Sequence, residues 1–228
     1  MGCITRHTFD FLTDLKHNNT RAWFEENRDR YERSHAEALC LAETVREAMT
    51  AYDVIEPRSP KKSLYRIYRD IRFSKDKTPY KVYWGGFLKR SGAERRGGMG
   101  FHIEPGATYI AGGFWAPNKE DLLHLRKQIS ADADPLKDVL KTPAFIEFFG
   151  TLGGQKLKTA PKGFDKKHPD IDLLNHKQFI IKHSFSDAEV LSDGFEQRMA
   201  DGFSQMLPFF AAMTEFLTTD LNGESLLK

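Results

Sequence analysis

The chain has 228 residues, 40% of them hydrophobic and 29% charged, with 18 phenylalanines, 17 glycines and a net charge of +2. A chain of this length buries roughly 70–75% of its unfolded surface, and its balance of apolar and charged residues excludes a disordered, collagen-like or disulfide-stapled chain. The small net charge hides an asymmetry: residues 58–96 hold 13 basic and 3 acidic side chains, a local +10, which points to a local anion site and not to a general polyanion coat.

In chain order, Thr8 is placed to cap a short helix with Phe11, Leu12 and Leu15 on one face, and Asn18-Asn19 ends it. From Thr20 to Tyr52 the apolar positions Phe24, Tyr31, Ala38, Ala42, Val45, Met49 and Tyr52 predict one long amphipathic helix, with Ser34-His35 as a point of bending. Pro57, Ser59 and Pro60 mark a loop. The period of residues 63–81 is ambiguous, and Pro79 forces its end to be extended or turned. Val82–Leu88, Met99–Glu104 and Thr108–Trp115 read as strands, the last two joined by Pro105-Gly106. Asn118 caps a helix to about Ser130, and a further helical stretch covers Pro135–Phe149. Lys156–Thr159 reads as a short strand, 170–175 as a short helix and Gln178–Phe185 as a half-buried strand. Asp193 and Glu196 have capping-box spacing before a last helix carrying Phe195 to Phe216, which Pro208 is expected to kink.

Helices at both ends of a central run of strands give an α+β fold: a single domain over residues 8–217, with a largely antiparallel sheet packed by N-terminal and C-terminal helices, and with 1–7 and 218–228 as tails. No stretch approaches 18 uninterrupted apolar residues, so no membrane partner is expected. The N-terminus lacks the apolar core of a secretory signal. Cys3 and Cys40 have no CxxC or metal-type spacing, and the expectation is two reduced thiols in a cytoplasmic setting.

Four blocks carry a family resemblance. They are Asn18–Phe24 with Asn27, Arg28 and Tyr31; Tyr65–Lys81; Glu104-Pro105 with Gly112–Pro117; and Leu157-Lys158 with Pro161–Asp165 and His168-Pro169. Together they resemble the bacterial and fungal family catalogued as domain of unknown function 2461, over roughly residues 8–217. Met99–His102 departs from the pair of tyrosines that family members tend to show there. The resemblance implies a conserved uncharacterised protein and brings no activity with it, so the chemistry rests on side chains.

The strongest candidate site is the 65–81 block. Arg66, Arg69 and Arg72 at spacing three offer planar bidentate forks for phosphate or carboxylate. Lys75, Lys77 and Lys81 add charge, Ser74 and Thr78 add hydroxyl donors, and Tyr65, Tyr68 and Tyr80 could stack on a base or sugar. The competing reading is a structural network in which Asp70 bridges arginines and the tyrosines fill the core. Lys158 and Lys162 with His168 form a second basic, glycine-containing loop without a Walker pattern, against a plain solvated loop. His102 and Glu104 share one strand face and could share a proton or metal, although two ligands are too few for a metal site. Asp70 and His102 are the first residues to test as proton carriers. Arg21, Asn27 and Arg28 beside Trp23 read more simply as capping and interhelical bonds.

The leading expectation is binding, with turnover left open, of a phosphorylated or carboxylated small molecule in a basic pocket. Two alternatives stand beside it: a nucleic-acid binder, and a non-enzymatic interaction protein whose Arg/Asp block braces the fold. Cofactors and oligomeric state are not legible.

Overall fold

The computed structural model describes residues 2–227. Helix α1 (Arg6–His17) starts one turn earlier than its apolar pattern suggests: Thr5, not Thr8, is the cap, accepting the His7 N–H at 3.2 Å. Thr8 is buried instead, its hydroxyl bonded to Glu37 (2.7 Å) and Ser34 (3.0 Å). The helix expected over residues 20–52 is two helices, α2 (Arg21–Glu26) and α3 (Arg28–Met49), and the break falls at Asn27 and not at Ser34-His35. The Asn27 backbone N–H and its Nδ2 both donate to the Trp23 carbonyl, at 3.0 and 2.9 Å, while its Oδ1 accepts from Arg30 at 3.0 Å. A side chain that competes for backbone partners turns the chain where periodicity alone would continue it.

A short helix α4 (Pro60–Ser63), with proline in its first turn, precedes β1 (Trp84–Lys89), β2 (Gly98–Ile103) and β3 (Tyr109–Phe114). Helix α5 (Lys119–Ala131) is capped as expected, Asn118 accepting the Asp121 N–H at 2.7 Å. The stretch expected as one helix to Phe149 is divided into α6 (Asp134–Lys141) and α7 (Pro143–Phe149), because Pro143 cannot continue the first and opens the second. Residues 156–159 form no strand. They make only the isolated bridge Lys156–His176, before α8 (Ile171–Leu174) and β4 (Phe179–Ser184).

The C-terminal helices correct two further expectations. The capping box belongs to Ser186 and Glu189 at α9 (Asp187–Val190), while Glu196 accepts the Cys3 backbone N–H. Pro208 does not kink one helix but begins a second: α10 (Phe195–Ser204) ends and α11 (Leu207–Thr218) starts around it.

The four strands form one antiparallel sheet in the order β1-β2-β3-β4, packed by N-terminal and C-terminal helices, and the fold is α+β. The chain divides into two compact units. The first gathers Met1–Leu88, Gly100–Ile110 and Ser184–Gly202. Its core holds Phe11, Phe24, Leu41, Trp84 and Phe101, with α1 against α3. The Trp84 ring is 1% exposed and its Nε1 donates to Ser34 at 2.8 Å. The second gathers Lys89–Met99, Ala111–His183 and Phe203–Lys228, with α11 on α5 and α6. Gly112 and Gly97 lie under Phe210, and a Cβ at Gly112 would come within 2.4 Å of the Met206 sulfur.

The two cysteines overturn the expectation of separate reduced thiols: Cys3 and Cys40 form a disulfide with Cα atoms 5.6 Å apart. Spacing could not reveal it, because the pairing depends on how residues 3–5 meet α3. The Thr5 backbone N–H and hydroxyl both donate to Glu37, at 2.9 and 2.7 Å, and this lays Cys3 beside Cys40. Among the described residues no helix is long and apolar enough to cross a membrane.

Candidate functional site

The site is built on an irregular ribbon at the edge of β1. Residues 64–69 run antiparallel to 79–86 through the bridges Leu64–Gly86 and Tyr68–Tyr80. The Tyr65 N–H donates to Gly85, the Lys81 N–H to Ile67 and the Arg69 N–H to Pro79, at 2.8, 2.7 and 2.9 Å. Leu64 and Ile67 enter the core, so Tyr65, Arg66 and Tyr68 face out. This three-residue repeat is neither a helix nor a strand period, which is why the sequence pattern of this stretch is ambiguous. Tyr80 also turns inward: it is buried, stacked on Phe24 at 4.0 Å, with its backbone N–H and carbonyl both held by the Asn19 amide. Its ring is committed to the core, and the residue borders a cleft on the Arg69 face of the ribbon.

Beside the ribbon lies a cleft of ≈ 1020 Å³. Its aromatic side carries Tyr31 and His35 from α3, backed by Trp84, with Tyr65 and Tyr68 from the ribbon. Its basic side carries Arg58, Lys61, Lys62 and Arg66. Arg58 is neutralised by Glu56, Nε to Oε1 at 3.1 Å. Lys61, Lys62 and Arg66 are exposed and face no carboxylate within ion-pair distance among the described residues. His35 lies 5.3 Å from the Trp84 ring and 5.7 Å from Tyr31, and its ring nitrogens have no hydrogen-bond partner among the described residues. Burial, and then the charge of Lys61, push its pKa below the ordinary histidine value, so the imidazole is neutral near pH 7.

The rest of the 65–81 block is largely occupied with itself. Arg69 binds the Asp76 carboxylate and the Thr78 hydroxyl, and the bond from Arg69, with those from the Thr78 N–H (3.0 Å) and hydroxyl (2.9 Å), holds the Asp76 carboxyl down at about 2. Asp70 and Arg72 pair bidentately, at 2.9 and 2.6 Å. Lys77 donates to the Ile71 carbonyl at 2.8 Å, and Lys81 to the Arg66 carbonyl. Ser74 and Lys75 lie on the outer turn of this loop, beside Phe73, which is 95% exposed. Asp70, tied to Arg72 in solvent, has its pKa lowered by that bond and is poorly placed as a proton carrier. A second cleft of ≈ 480 Å³ on the Arg69 face of the ribbon includes Lys81, Thr78 and Lys16. Burial and the neighbouring Arg69 lower the Lys81 pKa.

His102 and Glu104 do meet on their strand face, with Nε2 2.8 Å from Oε2, and Lys16 bonds the other carboxylate oxygen at 3.2 Å. The imidazole is stacked between Tyr83 (4.0 Å) and Tyr109 (4.8 Å). Among the described residues no group of three acidic, His or Cys side chains is arranged to hold a metal. Lys158 and Lys162 lie exposed in loops of the second unit, whereas the cleft is built from the first unit alone. Their neighbour His168 serves the fold: Nδ1 accepts the Asp170 N–H at 3.0 Å, and Nε2 lies 3.2 Å from the Ser130 hydroxyl.

Sequence reasoning counted Lys61 and Lys62 within the basic stretch but did not single them out, and it read His35 only as part of a bend, not as a site residue. The signal for the lysines was present in Ser59-Pro60-Lys61-Lys62, a proline-started turn displaying two adjacent cations. Nothing local marks His35.

The sequence model of one family, described as "Conserved hypothetical protein (DUF2461)", matches residues 7–211. No curated protein and no solved structure matches the chain.

Proposed function

Since the chain belongs to this DUF2461 family of conserved hypothetical proteins, whose description names no activity, we propose from its own side chains that it binds an anionic small molecule, phosphate-bearing in the first instance, in the cleft lined by Lys61, Lys62 and Arg66. One observation carries this reading: three cations without carboxylate partners border one concavity, while the neighbouring arginines Arg58, Arg69 and Arg72 are already paired. Like charges gathered without counter-charge are relieved by an anion, and the guanidinium of Arg66 offers a bidentate fork for its oxygens.

The contrast with the 65–81 loop refines the expectation from sequence. Arg69 and Arg72 stabilise the loop that carries them, and Arg66 is the member of the trio left for a ligand.

The test is titration with inorganic phosphate and pyrophosphate at low salt, read by thermal shift. A ligand at about 100 times its dissociation constant stabilises by roughly 2.7 kcal/mol, which raises the midpoint of a chain this size by roughly 5–11 °C. Arg66→Gln and the double variant Lys61→Gln/Lys62→Gln are expected to weaken binding by about 10-fold or more with unchanged stability, since charge-assisted bonds contribute roughly 1.5–3 kcal/mol each. Binding that survives both variants, or a flat titration with the wild type, refutes the assignment.

A further inference from the structure

We infer that the ligand of this cleft carries a planar heteroaromatic ring beside its phosphate, as a nucleoside 5′-monophosphate does. The inference rests on the anion reading above and extends it to the uncharged part of the molecule.

Three features of the cleft have no use for a bare anion. The first is a pair of half-exposed aromatic platforms. Tyr65 and Tyr68 are each 49% exposed, one on either side of Arg66 in the chain. Tyr65 lies so close over the ribbon that a methyl on Gly85 would sit 3.1 Å from its Cδ2. Tyr68 is backed by Tyr80 at 5.4 Å and Phe24 at 6.1 Å. An aromatic ring with one side packed and the rest open is held flat at little entropic cost, and it suits another flat ring. The second is His35. A neutral imidazole has one donor and one acceptor, and here neither is used by the protein. Placed in an aromatic wall, its donor and acceptor together match the mixed edge of a heterocycle, whereas a bare anion would use the N–H alone and leave the acceptor nitrogen unpaired. The third is size. At ≈ 1020 Å³ the cleft reaches the upper end of the roughly 300–1,000 Å³ typical of small-molecule sites, so phosphate alone would leave most of it to water.

The cations favour a mononucleotide over a polymer. Lys61, Lys62 and Arg66 lie within six consecutive residues, a cluster for one phosphoryl group and not a track along a backbone.

The experiment compares affinities, by calorimetry at low salt, for inorganic phosphate, ribose 5-phosphate, adenosine 5′-monophosphate and a short oligodeoxythymidine. Stacking of one base predicts that adenosine 5′-monophosphate binds about 5- to 150-fold more tightly than ribose 5-phosphate. Tyr65→Leu and Tyr68→Leu, both at half-exposed positions, are expected to shrink that ratio while leaving ribose 5-phosphate affinity unchanged. In the wild type, the His35 ring resonances are expected to shift with the nucleotide and not with ribose 5-phosphate, a readout that needs no variant. Equal affinity for the two phosphates overturns the ring inference and leaves the anion site standing. Failure of every phosphate compound overturns the anion reading itself. An oligonucleotide that binds more tightly than the mononucleotide, with a steep salt dependence, overturns the small-molecule assignment in favour of a single-stranded nucleic acid.

Discussion

At the scale of single residues, the molecule separates side chains that brace from side chains that remain available, and hydrogen-bond partners draw the line. His102 makes the point sharply. A carboxylate can only accept, so the contact with Glu104 requires a proton on Nε2. Nitrogen-15 NMR is expected to find Nε2 protonated in the wild type and a mixture of the two ring tautomers in Glu104→Gln; a mixture in both would mean that Glu104 does not orient the ring. The same accounting explains what the sequence could reveal. Asn118 was legible as a cap because the acceptor and its N–H lie three residues apart. Asn19 was not, because its amide clamps the backbone of Tyr80, 61 residues away. The 65–81 block was legible as a concentration of charge. Its division into paired Arg69 and Arg72 and open Arg66 depends on which way each side chain turns in a ribbon of irregular period.

At the scale of elements, the strands and most helices followed from alternation and amphipathic spacing, whereas the three places where one expected helix is two each involve a residue whose partner is local but polar, or a proline. Asn27, Pro143 and Pro208 each divide a stretch whose apolar pattern runs on unbroken. Pattern reports which face is buried and is silent about where the backbone bonds stop. The disulfide acts at this scale too, fastening the segment before α1 to the middle of α3 across a separation of 37 residues. A crosslink closing a loop of that size removes chain entropy from the unfolded state worth about 4 kcal/mol in the simplest treatment, and roughly 2–4 kcal/mol is typical. Cys3→Ser/Cys40→Ser is therefore expected to lower the unfolding free energy by that margin, and with it the denaturant midpoint, with an altered slope, and to make the protein indifferent to dithiothreitol. A midpoint unchanged by the double substitution would show that the hydrogen bonds of Thr5 to Glu37 hold the segment unaided.

At the scale of the whole molecule, buried neutral imidazoles tie stability to pH. His176 is buried, and burial lowers its pKa first and foremost; His35 is shifted the same way. The unfolded chain takes up protons as the pH falls through about 6.5, while the folded chain resists until its own lower values are reached. Stability is therefore full above about pH 6.5 and declines below it. The Asp76 carboxyl acts in a separate, more acidic window, between about 3.9 and its folded value of about 2. Thermal midpoints measured from pH 7.5 to 5.5 are expected to fall in the wild type and to fall less steeply in His176→Gln; parallel slopes would remove His176 as the cause. The same scale gives meaning to the way the first unit is assembled from three separate stretches of chain, the last of them Ser184–Gly202. During synthesis its first 88 residues emerge well before the helix that supplies Glu196 to Cys3. At about 5–20 residues per second, that wait lasts roughly 5–25 s. For that interval the nascent chain carries an incomplete hydrophobic interior, a state in which exposed apolar side chains favour aggregation over folding.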